Sequence, residues 1–243
     1  MVTLKQISTF ENGFFWNNYV SIESDFLKFL EYAPYHESNL KMYSPKLTGL
    51  LLQTGGFVDS AFREMASYFD LTAFLRQKDG TLKAVSKGKT VKNIVDYFAV
   101  WETIYNLSSN SEGELIAKLD FGDEPLTPFA KFASPSFDKT DWWWTAYNKV
   151  KHQYALHYQK ANITNVLEGL AGAFLLNVVH YPSFELLWKL EELETVVKAE
   201  SGASPYWIPK QLFGEMLDTA VQNIQPFGAG IRVETPLFLY TRW

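Results

Sequence analysis

The stretch Asp141-Trp142-Trp143-Trp144-Thr145-Ala146-Tyr147-Asn148-Lys149-Val150-Lys151-His152 gathers three tryptophans, a tyrosine and an Asn/His pair into a few helical turns. An i, i+4 spacing stacks two side chains on one helical face, so Asn148 and His152 can act as a unit. At about 100° per residue, Trp143, Tyr147, Val150 and Tyr154 form one stripe, with Ala146 and His157 at its margin, and this stripe is expected to face the core. Asn148 and His152 then point nearly the opposite way, with Trp144 and Lys151 on their flank, toward solvent or a second interface. Consecutive tryptophans cannot share one face. At least one of Trp142 and Trp144 therefore needs a cover: the connection 125–135, a partner chain, or a ligand for which the indole is a stacking platform.

The rest of the chain sets the frame for this helix. Its 243 residues, 47% hydrophobic and 16% aromatic against 20% charged, describe a folded protein with ample material for a core. We read it as a single domain over 1–243, with a helical core at 43–200 and decorations at both ends. The absence of cysteine excludes thiolate metal sites, disulfides and Cys nucleophiles, and fits a reducing compartment. No export signal is legible at the N-terminus, and the longest apolar run, 170–179, is too short to span a bilayer, so the expected address is cytoplasmic, away from membranes. A formal charge of -5 argues against a broad basic surface for nucleic acid.

Several further elements can be read. Ser24-Asp25 before Phe26, Leu27, Phe29 and Leu30 predicts a short capped helix stopped by Pro34. Ser44-Pro45 opens a long helix in which Leu47, Leu50, Leu51, Thr54, Val58, Ala61 and Phe62 recur at helical spacing. Gly55-Gly56 in its middle implies either a kink or the close approach of another element. Thr90 is expected to cap a helix carrying Ile94, Phe98 and Trp101, after a lysine-bearing connection over 77–90. Alternation over 115–121 predicts a strand. The apolar segment 163–179, with Gly169, Ala171, Gly172 and Ala173, predicts a central helix approached closely by its neighbours. Helices are expected at 182–198 and 209–221, and a strand broken by Pro236 at 231–240. The fold class is mainly α with a small peripheral β-element.

No Gly-rich phosphate loop, His-Glu-x-x-His metal motif, Ca²⁺ loop or Gly-x-Ser-x-Gly elbow is present. His36 and His180 lack ligands at metal spacing, so no metal and no cofactor are expected. Asp59 and Arg63 fit a surface or interface ion pair. Lys78, Lys83, Lys87, Lys89 and Lys92 read as a solvated loop or an anion-binding edge. His152 is either a surface histidine or a general base or phosphate contact.

The helix from Tyr43-Ser44-Pro45 through Val58-Asp59, then Pro128-Phe129, Trp142-Trp143, Tyr147 through His152 and Ala161-Asn162, resembles the HEPN-like helical proteins of bacteria and their mobile elements. The resemblance covers about residues 43–180. It implies an antiparallel helical bundle that dimerises around a shared cleft. Its active members are metal-independent ribonucleases built on an arginine, a following polar residue and a histidine a few residues on. Carried over, His152 matches the histidine and Asn148 the polar residue, but Tyr147 stands where the arginine belongs. A histidine can take the 2'-hydroxyl proton, whereas a neutral tyrosine cannot replace a guanidinium that stabilises the phosphorane.

The resemblance thus implies a homodimeric binding or regulatory protein without catalysis, linked to RNA or a nucleotide in stress or in phage and mobile-element conflict. Its site is expected at His152 and Asn148, with Lys149, Lys151, Trp144 and Tyr147 as ligand-binding residues. The enzymatic alternative is a metal-independent endoribonuclease using His152. A third reading is a protein-interaction module unrelated to nucleic acid.

Overall fold

A computed structural model of the chain describes residues 14–66, 114–119, 125–134, 136–179, 193–195 and 231–242, with positions 94, 97, 98, 102, 107 and 108 between them. The helices are α1 (Phe14–Leu30), α2 (Pro45–Ala66), α3 (Trp143–His157) and α4 (Ile163–Val179). The strands are β1 (Glu114–Ala117), β2 (Leu193–Thr195), β3 (Ile231–Glu234) and β4 (Phe238–Arg242), in an antiparallel sheet of order β1-β4-β3-β2. Helix dominates the described residues. The central pair is α2 and α4, against which both α1 and α3 pack.

In α1 the repeat of Phe15, Trp16, Tyr19, Ile22 and Phe26 buries one face against the central pair. The expected short helix beginning at Ser24-Asp25 is therefore only the last part of a longer one, and Ser24 is no cap. The aromatic repeat upstream outweighs the local Ser-Asp signal, and Asp25 instead pairs with Lys46 at 2.6 Å and Lys28 at 3.6 Å. Sequence reading places 14–30 outside the helical core; in the fold α1 belongs to it, because its aromatic face has no other place to go.

The long helix is as expected from its Ser-Pro start. Ser44 Oγ accepts from the Leu47 N–H at 3.1 Å, and Pro45 occupies the first helical position, where its missing N–H costs nothing. The two glycines resolve in favour of close approach. A Cβ on Gly55 would stand 2.6 Å from Cε2 of Tyr147 and closer still to Cγ and Cδ2, whereas Gly56 has open space around it. On α4, Gly169 receives the edge of Trp143 and Gly172 the tip of Phe129, with a ring carbon 3.2 Å from where a Cβ would stand in each case. Every residue of this helix from Gly169 to Val178 is buried, as its apolar run implies.

The strand expected at 115–121 begins as β1, with Leu115 and Ala117 turned inward. The break at Pro236 is the turn of the β3–β4 hairpin, closed by Thr235 N–H donating to the Phe238 carbonyl at 2.8 Å. The helix expected over 182–198 is corrected at 193–195, where the backbone pairs with β3 as strand β2; an adjacent strand edge supplies partners that outweigh helical periodicity. Positions 94, 97, 98 and 102 are helical, and Phe98 is buried against Phe62, Phe129 and Phe132. The lysine-bearing connection at 77–90 and the helix expected at 209–221 lie outside the described residues. Among the described residues, no helix is long and apolar enough to cross a membrane.

The two neighbouring glycines give a direct test. Gly55→Ala is expected to cost about 1–3 kcal/mol in urea denaturation, because the Tyr147 ring must be displaced. Gly56→Ala is expected to stabilise by about 0.5–1 kcal/mol through helix propensity alone.

Candidate functional site

The tryptophan segment begins in extended backbone. Trp142 has φ -164° and ψ 174°, so its indole is not bound by the helical wheel that separates Trp143 from Trp144. Each indole consequently finds its own place in the core. Trp142 Nε1 donates to the Phe137 carbonyl at 2.8 Å, and Trp143 Nε1 donates to the Pro128 carbonyl at 2.7 Å. Trp144 packs on Phe132 and Tyr147. The cover is the connection after β1, as the sequence suggests. Thr145 Oγ1 accepts from the Trp142 N–H at 3.2 Å, and the Glu168 carboxylate on α4 accepts from the Trp143 N–H, which satisfies the first donors of α3.

The candidate site residues occupy contrasting environments. Trp144 and Tyr147 are buried, so neither ring has an open face for a ligand in the protomer. Asn148 is half-buried and spends its amide on its own helix, Nδ2 donating to the Trp144 carbonyl at 3.1 Å. Lys149 is half-buried. Lys151 is exposed, and its Nζ donates to the Tyr147 hydroxyl at 3.1 Å while lying 5.2 Å from that ring's centre. His152 is exposed on an unbroken part of α3. Lys151 and Tyr147 are thus brought together, whereas no hydrogen bond joins Asn148 to His152 among the described residues.

Directly after His152 the helix kinks. Gln153 has φ -143° and ψ 52°, and all six positions 151–156 are exposed. The core stripe expected from Trp143 through Tyr154 accordingly ends at Val150; Tyr154, directly after the non-helical Gln153, is 50% exposed. Tyr43 and Tyr158 are also partly exposed, and the three tyrosines cluster. The Tyr43 and Tyr158 ring centres lie 5.3 Å apart at 73°, and those of Tyr154 and Tyr158 lie 6.2 Å apart at 59°. Sequence reasoning missed this group, because Tyr43 is distant in the chain and Tyr154 reads as core. A signal was nevertheless present: residues 142–167 contain Lys149, Lys151, Lys160, His152 and His157 and no Asp or Glu. Asp141, at the border, is held below the ordinary carboxylate range by its bond to Lys160, at 2.7 Å.

Two partly or wholly buried carboxylates were also invisible to the sequence reading. Burial pushes Glu168 up, opposed by Lys131 and by the Trp143 N–H. It lines a small groove of about 180 Å³ with Lys131, Trp142 and the 125–128 segment. Glu23 on α1 lies under the hairpin turn, where its Oε1 accepts from Tyr19 Oη at 2.9 Å, Thr235 Oγ1 at 2.5 Å and the Leu237 N–H at 3.1 Å. Lys118 Nζ donates to the Thr235 carbonyl at 3.0 Å. Desolvation raises the Glu23 pKa, and these hydrogen bonds and Lys118 only partly offset it. Asp59 and Arg63 form a surface ion pair at 2.9 Å. Among the described residues, no group of three or more His, Cys, Asp or Glu side chains is arranged to hold a metal ion.

The chain matches no protein-family model, and no curated protein and no solved structure matches it.

The Glu23 cluster predicts a defined pH dependence. A carboxyl whose folded pKa is raised holds its proton more tightly in the native state. Its contribution to stability is full below the ordinary carboxylate value and is lost as pH rises through the raised one. Urea denaturation of the wild type, relative to Glu23→Gln, is expected to show stability falling with pH across that window; parallel curves would contradict it.

Proposed function

We propose that this chain is an HEPN-like binding or regulatory protein, linked to RNA and acting without catalysis, in stress or in phage and mobile-element conflict. The observation that carries the reading is the outer half of α3. A helix whose first half is sealed in the core presents His152 to solvent and then stays exposed over 151–156. A helix end with no burial of its own is suited to a partner, and the Asn148–His152 face is the surface on which two protomers would meet about a two-fold axis.

The same geometry favours binding over cleavage. Where the resemblance requires a guanidinium, Tyr147 is buried and its hydroxyl is engaged by Lys151. The Asn148 amide is committed to the Trp144 carbonyl. What remains accessible is one imidazole without a cation preorganised on a phosphorane oxygen, and electrostatic preorganisation is usually the largest catalytic term. The exposed imidazole keeps the endoribonuclease reading open to a direct test.

Incubation of the full chain with single-stranded RNA in EDTA is expected to give a retarded complex and intact RNA. Cleavage that disappears in His152→Ala would establish the enzyme instead. In light scattering, Asn148→Glu is expected to lower the dimer fraction, and a monomeric wild type would remove the two-fold arrangement.

A further inference from the structure

The tyrosine cluster begins beyond the kink at Gln153, with Tyr154 in the last turn of α3 and Tyr158 directly after its end, whereas Asn148 and His152 precede the kink. Lys151, Tyr154 and Tyr158 follow one another at spacings of three and four, and Tyr43 joins Tyr158 from the segment before α2. That segment is held alongside the start of α4 by the Tyr43–Asn162 bridge and by Thr164 N–H donating to the Leu40 carbonyl at 3.3 Å. The ring positions are therefore set by backbone pairing as well as by their own contacts.

We infer that Tyr43, Tyr154 and Tyr158 form a stacking surface for single-stranded nucleic acid, with Lys151 meeting the phosphate backbone. This rests on the RNA-linked reading above and adds to it the surface and the strandedness of the nucleic acid. Charge complementarity selects the occupant. In a chain of formal charge -5, the 26 residues 142–167, which supply Lys151, Tyr154 and Tyr158, carry three lysines and no carboxylate, a local charge opposite in sign to that of the whole chain and suited to a polyanion. The bordering Asp141 is paired with Lys160. Lys151 is steadied by the Tyr147 hydroxyl, which reduces the entropy lost when it meets a phosphate.

The rings then decide between polyanions. Tyrosines exposed by 46%, 50% and 37% offer faces on which bases stack without sequence preference. Bases inside a duplex are already stacked and cannot reach them. An acidic peptide would use the lysine and leave the rings idle.

The test is fluorescence anisotropy of the full chain with labelled oligouridine, oligothymidine and a hairpin duplex. Both single strands are expected to bind more tightly than the duplex. Tyr154→Ala and Tyr158→Ala should each weaken binding by about tenfold. Tyr154→Phe should bind like the wild type, which separates loss of the ring from loss of fold. Lys151→Ala should lower the slope of log affinity against log salt by about one.

Equal affinity for the duplex, neutral alanine variants, or displacement by polyglutamate as effective as by oligouridine would each overturn the stacking surface. Tight RNA binding with neutral tyrosine variants would sink this inference alone and leave the proposed function standing. His152-dependent cleavage with tyrosine-dependent binding would do the reverse. Absence of binding to any of the probes would overturn both.

Discussion

The structure depends on how Trp143 is seated. Its indole is fully buried, its Nε1 proton is taken by the Pro128 carbonyl at 2.7 Å, and its edge rests on Gly169 of α4. A buried indole contributes a large hydrophobic area, but its N–H must find an acceptor or the gain is reduced by a few kcal/mol, about 1–3 for an unmade hydrogen bond. Both conditions are met by one residue. Trp143 thereby joins α3 to α4 and fastens to them the connection that carries Pro128 and Phe129.

The second constraint is close packing at small residues. Tyr147 lies against Gly55, Trp143 against Gly169 and Phe129 against Gly172. Each aromatic fills space that a single methyl group would occupy, so the helices approach at distances that larger residues forbid. As a buried element α3 ends at Val150: positions 151–156 are exposed, with the kink at Gln153 among them.

Polar groups inside the molecule mark its junctions. Glu168 reaches the N-terminus of α3, and Glu23 gathers three donors beneath the hairpin turn. Burying a carboxylate is costly, so its presence there is weak evidence of added stability. Glu23 ties the C-terminal hairpin to the N-terminal helix across 212 residues of sequence, a pairing that a slipped register would leave unsatisfied. The surface has the complementary character: the outer half of α3 exposes Lys151, His152 and Tyr154 and contributes no carboxylate of its own.

By itself the sequence determined the elements whose signals are local. The Ser44-Pro45 start and apolar repeat of α2, the small-residue apolar run of α4, the alternation in β1 and the outward direction of His152 all follow from periodicity and capping within one segment. Local signals failed where a remote partner had the larger effect. A Ser-Asp pair lost to the aromatic face of α1, a helical pattern lost to a neighbouring strand at 193–195, and Tyr154 left the core stripe beyond the kink at Gln153, which a helical wheel does not anticipate. Only the tertiary structure decided that Gly55 accommodates Tyr147, that all three indoles are buried, and that Tyr43 joins Tyr154 and Tyr158. Those outcomes depend on which surfaces meet in space, and a helical period carries no information about the length or position of the surface it will meet.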